Sequence, residues 1–159
     1  MNLKVRSIKP TKVIKVIRST RSTRSTKINI LNQHLSARIP SAKLKKILRR
    51  TSRALGLTDT EINFLFVSDR VIRKYNQRYL KHDRPTDVIA FPYDPGPLLA
   101  DIVVSIDTAK WQARDEGHSL LTELSILCVH GLLHILGYRD KTKKDRNVMW
   151  KKTYELLGK

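Results

Sequence analysis

Cysteine is almost missing from this chain. Cys128 is the only one, so no disulfide can close within it, and a reducing compartment suits such a protein. Its apolar surroundings make it a core residue. Acidic residues are missing from the first third: residues 1–58 hold 16 Lys and Arg and no Asp or Glu. Long apolar runs are missing too. A bilayer-spanning helix takes about 20 residues, and the longest uncharged stretch is 124–138, with two histidines inside it. The first residues contain no compact apolar run of the kind a secretory signal needs. These absences point to a cytoplasmic protein without membrane contact.

What is present is positive charge. The chain of 159 residues carries a formal +18, enough length for one domain with a core. Residues 59–159 balance 16 basic against 14 acidic side chains, so the excess sits at the front. A basic surface of this size suits phosphate partners such as RNA, DNA or anionic lipid, nucleic acid first among them; the bland alternative is a solubilising tail. Residues 1–26 are rich in Lys, Arg, Ser and Thr, with Arg-Ser-Thr repeated three times from Arg18. Such a low-complexity stretch cannot bury a core. It reads as a disordered RNA-binding arm, an organelle transit peptide or a spurious upstream extension. The domain proper runs from 27 to 159.

Periodicity divides that domain into alternating strands and helices. Strands are expected at 27–33, 61–67, 87–92 and 100–106, with a turn at 94–97. Ser41 caps a helix that buries Leu44, Ile47, Leu48 and Leu55 and stops at Gly56. Its other face presents Lys43, Lys45, Lys46, Arg49, Arg50 and Arg53. Lys43, Lys46, Arg50 and Arg53 are candidate RNA contacts, against the plain reading of a solvated face. Ser68 or Asp69 caps a helix with the stripe Val71, Ile72, Tyr75 and Tyr79. Residues 81–86 form a polar loop. Asp107 caps a short helix ending at Gly117. Ser119 caps a helix apolar nearly all round, which must be central. Thr142 and Asp145 form a capping pair for the last helix, with Trp150, Tyr154 and Leu157 along one face. The expected fold is a single α+β domain: a mixed sheet of about four strands packed with helices.

The central helix carries the chemistry. His130 and His134 are four residues apart, hence on one face. Gly137 can end the helix in a left-handed conformation and let the chain return with Asp140. Two imidazoles and one carboxylate hold Zn²⁺ and leave a fourth position open, as catalytic sites do. The competing role of Asp140, capping the last helix, is dispensable because Thr142 can fill it. The spacing His-x-x-x-His-x-x-Gly-x-x-ligand is that of metzincin zinc proteases. Gly131 stands where those enzymes keep a Glu as general base, which argues against a peptidase. His82 and His118 are weaker ligand candidates; His118 reads as a local hydrogen-bonding residue.

Residues 130–140 read His-Gly-Leu-Leu-His-Ile-Leu-Gly-Tyr-Arg-Asp and resemble the signature His-Gly-x-Leu-His-Leu-x-Gly-Tyr-Asp-His of the YbeY family of bacterial zinc-dependent endoribonucleases. Three further blocks carry the resemblance. They are Asn76-x-x-Tyr79 followed by Asp83-x-Pro85-Thr86-Asp87-Val88-Ile89-x-Phe91-Pro92, the run 101–109, and Gly117-His118-Ser119 leading to Glu123-Leu124. Together they span about 27–157.

The resemblance implies a zincin-like layout, with the 87–92 strand or its neighbour at the sheet edge near the cleft. It implies one Zn²⁺ per chain, cleavage of single-stranded RNA by a water on that metal, a role in ribosomal RNA maturation at the small-subunit 3′ end and in ribosome quality control, and contact with the small subunit and its assembly factors. Three positions depart from the family. Asp140 replaces its third His, which makes a held metal a weaker Lewis acid. Arg139 replaces its Asp. Leu80 replaces an arginine important for RNA cleavage, and Lys81, Arg84 or Arg139 are candidates to contact phosphate instead. These departures leave open a second reading, a ribosome-binding factor with weakened catalysis and a structural zinc.

Overall fold

A computed structural model of the chain describes residues 26–93 and 98–158. The arm expected at 1–26, Thr26 apart, and the turn expected at 94–97 lie outside the described residues. Four strands make one mixed sheet. Strands β1 (Lys27–Asn32), β2 (Glu61–Val67) and β4 (Leu98–Ser105) are parallel, and β3 (Val88–Pro92) pairs antiparallel to β4; the order is β1-β2-β4-β3. β3 is therefore an edge, as expected. The second strand has its expected bounds; the first and third differ by one residue at one end, and the fourth starts two residues earlier and ends one earlier than expected.

β2 is apolar at five of its seven positions because both sheet faces are covered. Ile62, Phe64 and Phe66 join Ile28, Ala90, Ile102 and Val104 on one face. Leu65, Val67, Ile89, Phe91 and Val103 pack on the other. One polar line interrupts the second face. Asn29 donates to Asn63 at 2.8 Å, Asn63 to Asp101 at 2.7 Å, and the Tyr93 hydroxyl to Asp101 at 2.6 Å. Asn29 is opposite Asn63, and Asn63 opposite Asp101, in the strand register.

Helices α1 (Ser41–Ala54), α3 (Ile106–Asp115) and α4 (Leu120–Ile135) cover the first face. α2 (Asp69–Tyr75), prolonged by a π-helical turn at Asn76–Leu80, covers the second. α5 (Lys143–Leu157) packs outside α4, which is thus buried from both sides. This is why α4 is apolar nearly all round. Among the described residues no single helix is long and apolar enough to cross a membrane.

Ends and faces differ from expectation in three places. Pro40, not Ser41, holds the cap position of α1, and the Ser41 hydroxyl turns back to the Ile39 carbonyl. Ser105, not Asp107, caps α3, accepting the Thr108 N–H at 3.3 Å. Asp107 serves a different purpose: its two oxygens accept from His34 Nε2 and from the Asp69 N–H, each at 2.9 Å. α5 buries Met149, Thr153 and Leu156 rather than Trp150, Tyr154 and Leu157. Ser119 and the Thr142–Asp145 capping box stand where expected.

Candidate active site

Glu123, His130 and His134 are seven and four residues apart, so α4 carries them along one side. His130 is 2% exposed and His134 3%. Gly137, at φ 89°, turns the chain past the end of α4. Its N–H bonds the His134 carbonyl, and the Tyr138 N–H bonds that of Leu133. The turn brings the Tyr138 carbonyl to His134 Nδ1 at 3.1 Å. A carbonyl only accepts, so Nδ1 carries the proton and Nε2 the lone pair. That Nε2 is buried without a hydrogen-bond partner, and so are both nitrogens of His130. Leaving such atoms unpaired is costly unless something else engages them.

Burial, followed by the charge of His134, holds His130 down at about 4. Burial also lowers His134, opposed by Asp140, the Tyr138 carbonyl and Asp87. Neutral imidazoles are the form that ligates metal. Asp140 is 8% exposed and its charge is felt at His134. Arg146 secures its loop, with Nη1 donating to the Asp140 and Lys141 carbonyls at 3.2 and 3.3 Å. Thr142, not Asp140, caps α5. Among the described residues, no three His, Cys, Asp or Glu side chains come together as a group able to hold a metal ion. His130, His134 and Asp140 share a buried neighbourhood without closing into such a triad.

Several residues of this neighbourhood have no spacing signal in the sequence. Asp87 is buried; one oxygen accepts from the Val88 N–H at 2.8 Å and the other from Gln112 at 3.2 Å. Its charge acts on both His134 and Glu123. Burial raises the Glu123 carboxyl, and Asp87 and Glu116 add to that, against the opposing pull of His118. His118 Nε2 lies 2.5 Å from Glu123, so His118 is the local partner the sequence suggested. The Trp150 ring stands over His130, centroids 4.4 Å apart and edge to face. Only their presence in the four family blocks singles out Asp87 and Glu123 before the fold is known.

The phosphate candidates Lys81, Arg84 and Arg139 are all exposed. The loop bearing the first two is tied down. Asn76 Nδ2 donates to the Arg84 carbonyl at 2.7 Å, and Arg73 grips Asp83 through two bonds of 2.8 and 2.9 Å. Lys81 takes the left-handed conformation, φ 62°, as it leaves the π turn. Leu80 is half-buried against the second core. On α1, Lys43, Lys46, Arg50 and Arg53 are exposed. Arg50 also reaches the Leu157 carbonyl at the end of α5, at 3.3 Å.

The sequence profile of the family described as Endoribonuclease YbeY matches residues 24–159. A protein named Endoribonuclease YbeY from Bacillus licheniformis is 36% identical over 141 residues, covering 78% of this chain and 89% of its own length. One of the same name from Aquifex aeolicus is 39% identical over 116 residues, covering 70% and 77%. The solution structure of a protein from Thermotoga maritima superposes with a TM-score of 0.57 at 26% identity, over 82% of this chain and 89% of that one.

Proposed function

We propose a substrate and a chemistry for this chain from one premise: it belongs to the YbeY endoribonuclease family. It cuts RNA internally by hydrolysis. The substrate is single-stranded ribosomal RNA, the small-subunit 3′ end in particular, and the work is ribosome maturation and quality control in the cytoplasm, beside the small subunit and its assembly factors. The observation that carries this reading is the buried imidazole pair. Three of its nitrogens lack a hydrogen-bond partner, in a chain whose surface charge suits RNA.

Those nitrogens fit a divalent cation. Two imidazoles and one buried carboxylate form a donor set suited to zinc. His130, His134 and Asp140 would hold one such ion per chain. Bound there, it supplies Lewis acidity toward a phosphate oxygen and makes water a nucleophile near neutral pH. The chain's own groups do the rest. The Tyr138 carbonyl fixes the His134 tautomer and ring direction. Arg146 keeps the Asp140 loop in place. Glu123 and His118 share a hydrogen bond and can hold or pass a proton. Arg84, Lys81 and Arg139 contact phosphates, and the outer face of α1, with Lys43, Lys46, Arg50 and Arg53, attracts the RNA backbone over a longer range.

Purified protein incubated with single-stranded ribosomal RNA tests the reading: cleavage by wild type and none by His134→Ala is expected, with one zinc per chain by elemental analysis. Equal cleavage by both proteins ends it. A second reading, an RNA-binding factor with weak catalysis and a structural zinc, draws on Leu80 packing into the core and on the lack of a closed triad among the described residues. Steeply salt-dependent RNA binding without turnover would favour it.

A further inference from the structure

We propose that Trp150 and Tyr154 of α5 form a stacking platform for the bases of single-stranded RNA beside His130. The proposal rests on the ribonuclease reading and adds to it where the substrate's bases go.

Three rings run outward from the buried centre. Trp150 packs on His130 with centroids 4.4 Å apart, and Tyr154 stacks on Trp150 at 5.5 Å with planes 21° apart. His130 is 2% exposed and Tyr154 40%. The aromatic line therefore starts in the protein and ends in solvent. The core does not account for it: α5 turns Met149, Thr153 and Leu156 inward, one residue earlier on each turn. Trp150 and Tyr154 make one aromatic patch, continuous with His130 and open to solvent at Tyr154; a contiguous patch rimmed by polar residues marks a binding surface.

Its neighbours define what ligand fits. Lys143, Asn147 and Lys151 are exposed; the first two lie seven and three positions before Trp150 and the last three before Tyr154, so they border the rings on the same side. Cationic heads interleaved with flat π faces are the arrangement that tracks a phosphate backbone while stacking its bases. Every base offers a π face, so such a platform tolerates sequence. A duplex hides those faces, so it discriminates against double strands.

The test uses full-length protein and two fluorescent oligonucleotides of equal length and charge, one a mixed-sequence 2′-O-methyl single strand and the other abasic. Tyr154→Ala should weaken binding of the base-bearing strand about tenfold, within the range set by one stacked base, and leave the abasic strand unchanged. Tyr154→Phe, which keeps the ring, should bind both like wild type. In Trp111→Phe protein, Trp150 is the remaining indole of the chain's two, and the base-bearing strand should quench its fluorescence while the abasic one does not. Unchanged binding by Tyr154→Ala, equal losses on both strands or an unquenched Trp150 overturns the platform. If wild type meanwhile cleaves single-stranded RNA, the ribonuclease reading stands without it. If wild type neither binds nor cleaves such RNA, both fall, and the exposed rings belong to a protein interface.

Discussion

Gly131 and Ile102 touch where α4 crosses β4: a Cβ on Gly131 would stand 2.7 Å from Ile102 Cγ2 and 3.2 Å from Cδ1. The position at which a metzincin keeps its Glu is thus pressed against the Ile102 side chain, which any Cβ there must displace. Absence of the peptidase base follows from packing. Gly131→Ala should destabilise the fold by about 1–3 kcal/mol through overpacking, measured by urea unfolding. With Ile102→Ala in the same chain the combined loss should fall short of the sum of the single losses, because the shortened side chain makes room. Strict additivity would show that the contact is not felt.

The identity of residue 140 sets the chemistry of the metal proposed above. A neutral imidazole in place of the Asp140 carboxylate leaves more positive charge on a held zinc. Asp140→His should therefore move the pH of half-maximal RNA cleavage downward, toward the value of about 7 associated with three-imidazole sites. Asp140→Ala should lose zinc. A half-point that does not move, together with full zinc in Asp140→Ala, would take this residue out of the metal's coordination.

Acid should loosen the C-terminal end of the parallel strands. Burial by itself would raise the Asp107 carboxyl, but the Asp69 N–H, His34 and Lys110 together bring it below its usual 3.8. The unfolded chain then binds the proton more readily, so stability contributed by Asp107 is present above 3.8 and is lost as pH falls through the lower folded value. Its side chain is 38% exposed, so solvent screening keeps the contribution below about 1 kcal/mol. Urea unfolding between pH 5 and pH 2, as an approximate span around that window, should give Asp107→Asn a flatter acid limb than wild type. Parallel limbs would contradict this.

The outer face of α1 should set how steeply RNA affinity depends on salt. Replacing Lys43, Lys46 and Arg53 with Gln removes three exposed cations. Each phosphate contact to a single strand contributes about 0.7 to the slope of log affinity against log salt. The triple variant should therefore lose up to about 2 from that slope, read from binding titrations at several salt concentrations. An unchanged slope would mean that this face meets only solvent.

Elements set by local chemistry could be read directly. The apolar run of β2, the Ser119 cap, the Thr142–Asp145 box and the left-handed Gly137 all depend on neighbours within a few residues. The inward face of α5 was harder. Met149, Thr153 and Leu156 and the parallel set Trp150, Tyr154 and Leu157 are both helical stripes, and the second is more hydrophobic. Packing against Val129 and Leu133 decides for the first. The helix-start residues Ser41 and Asp107 misled for a related reason: both are good caps, yet Pro40 and Ser105 occupy the position one or two residues earlier. In the site, His130 and His134 declare themselves by spacing. Asp87, Gln112 and Glu123 do not, because they meet only through the pairing of β3 with β4 and the crossing of α4.

The polar line from Asn29 through Asn63 and Asp101 to Tyr93 has a consequence for how the chain threads. Side chains alternate between sheet faces, so a slip of β4 by one residue would swap Asp101 with Ile102. The carboxylate would then leave its amide and phenol donors and press into the tight crossing beside Gly131, at a cost of several kcal/mol for an unpaired charge. A misaligned hairpin or a shifted crossover is penalised at once, by one acid. The amides and the phenol act as a gauge that only the correct alignment satisfies.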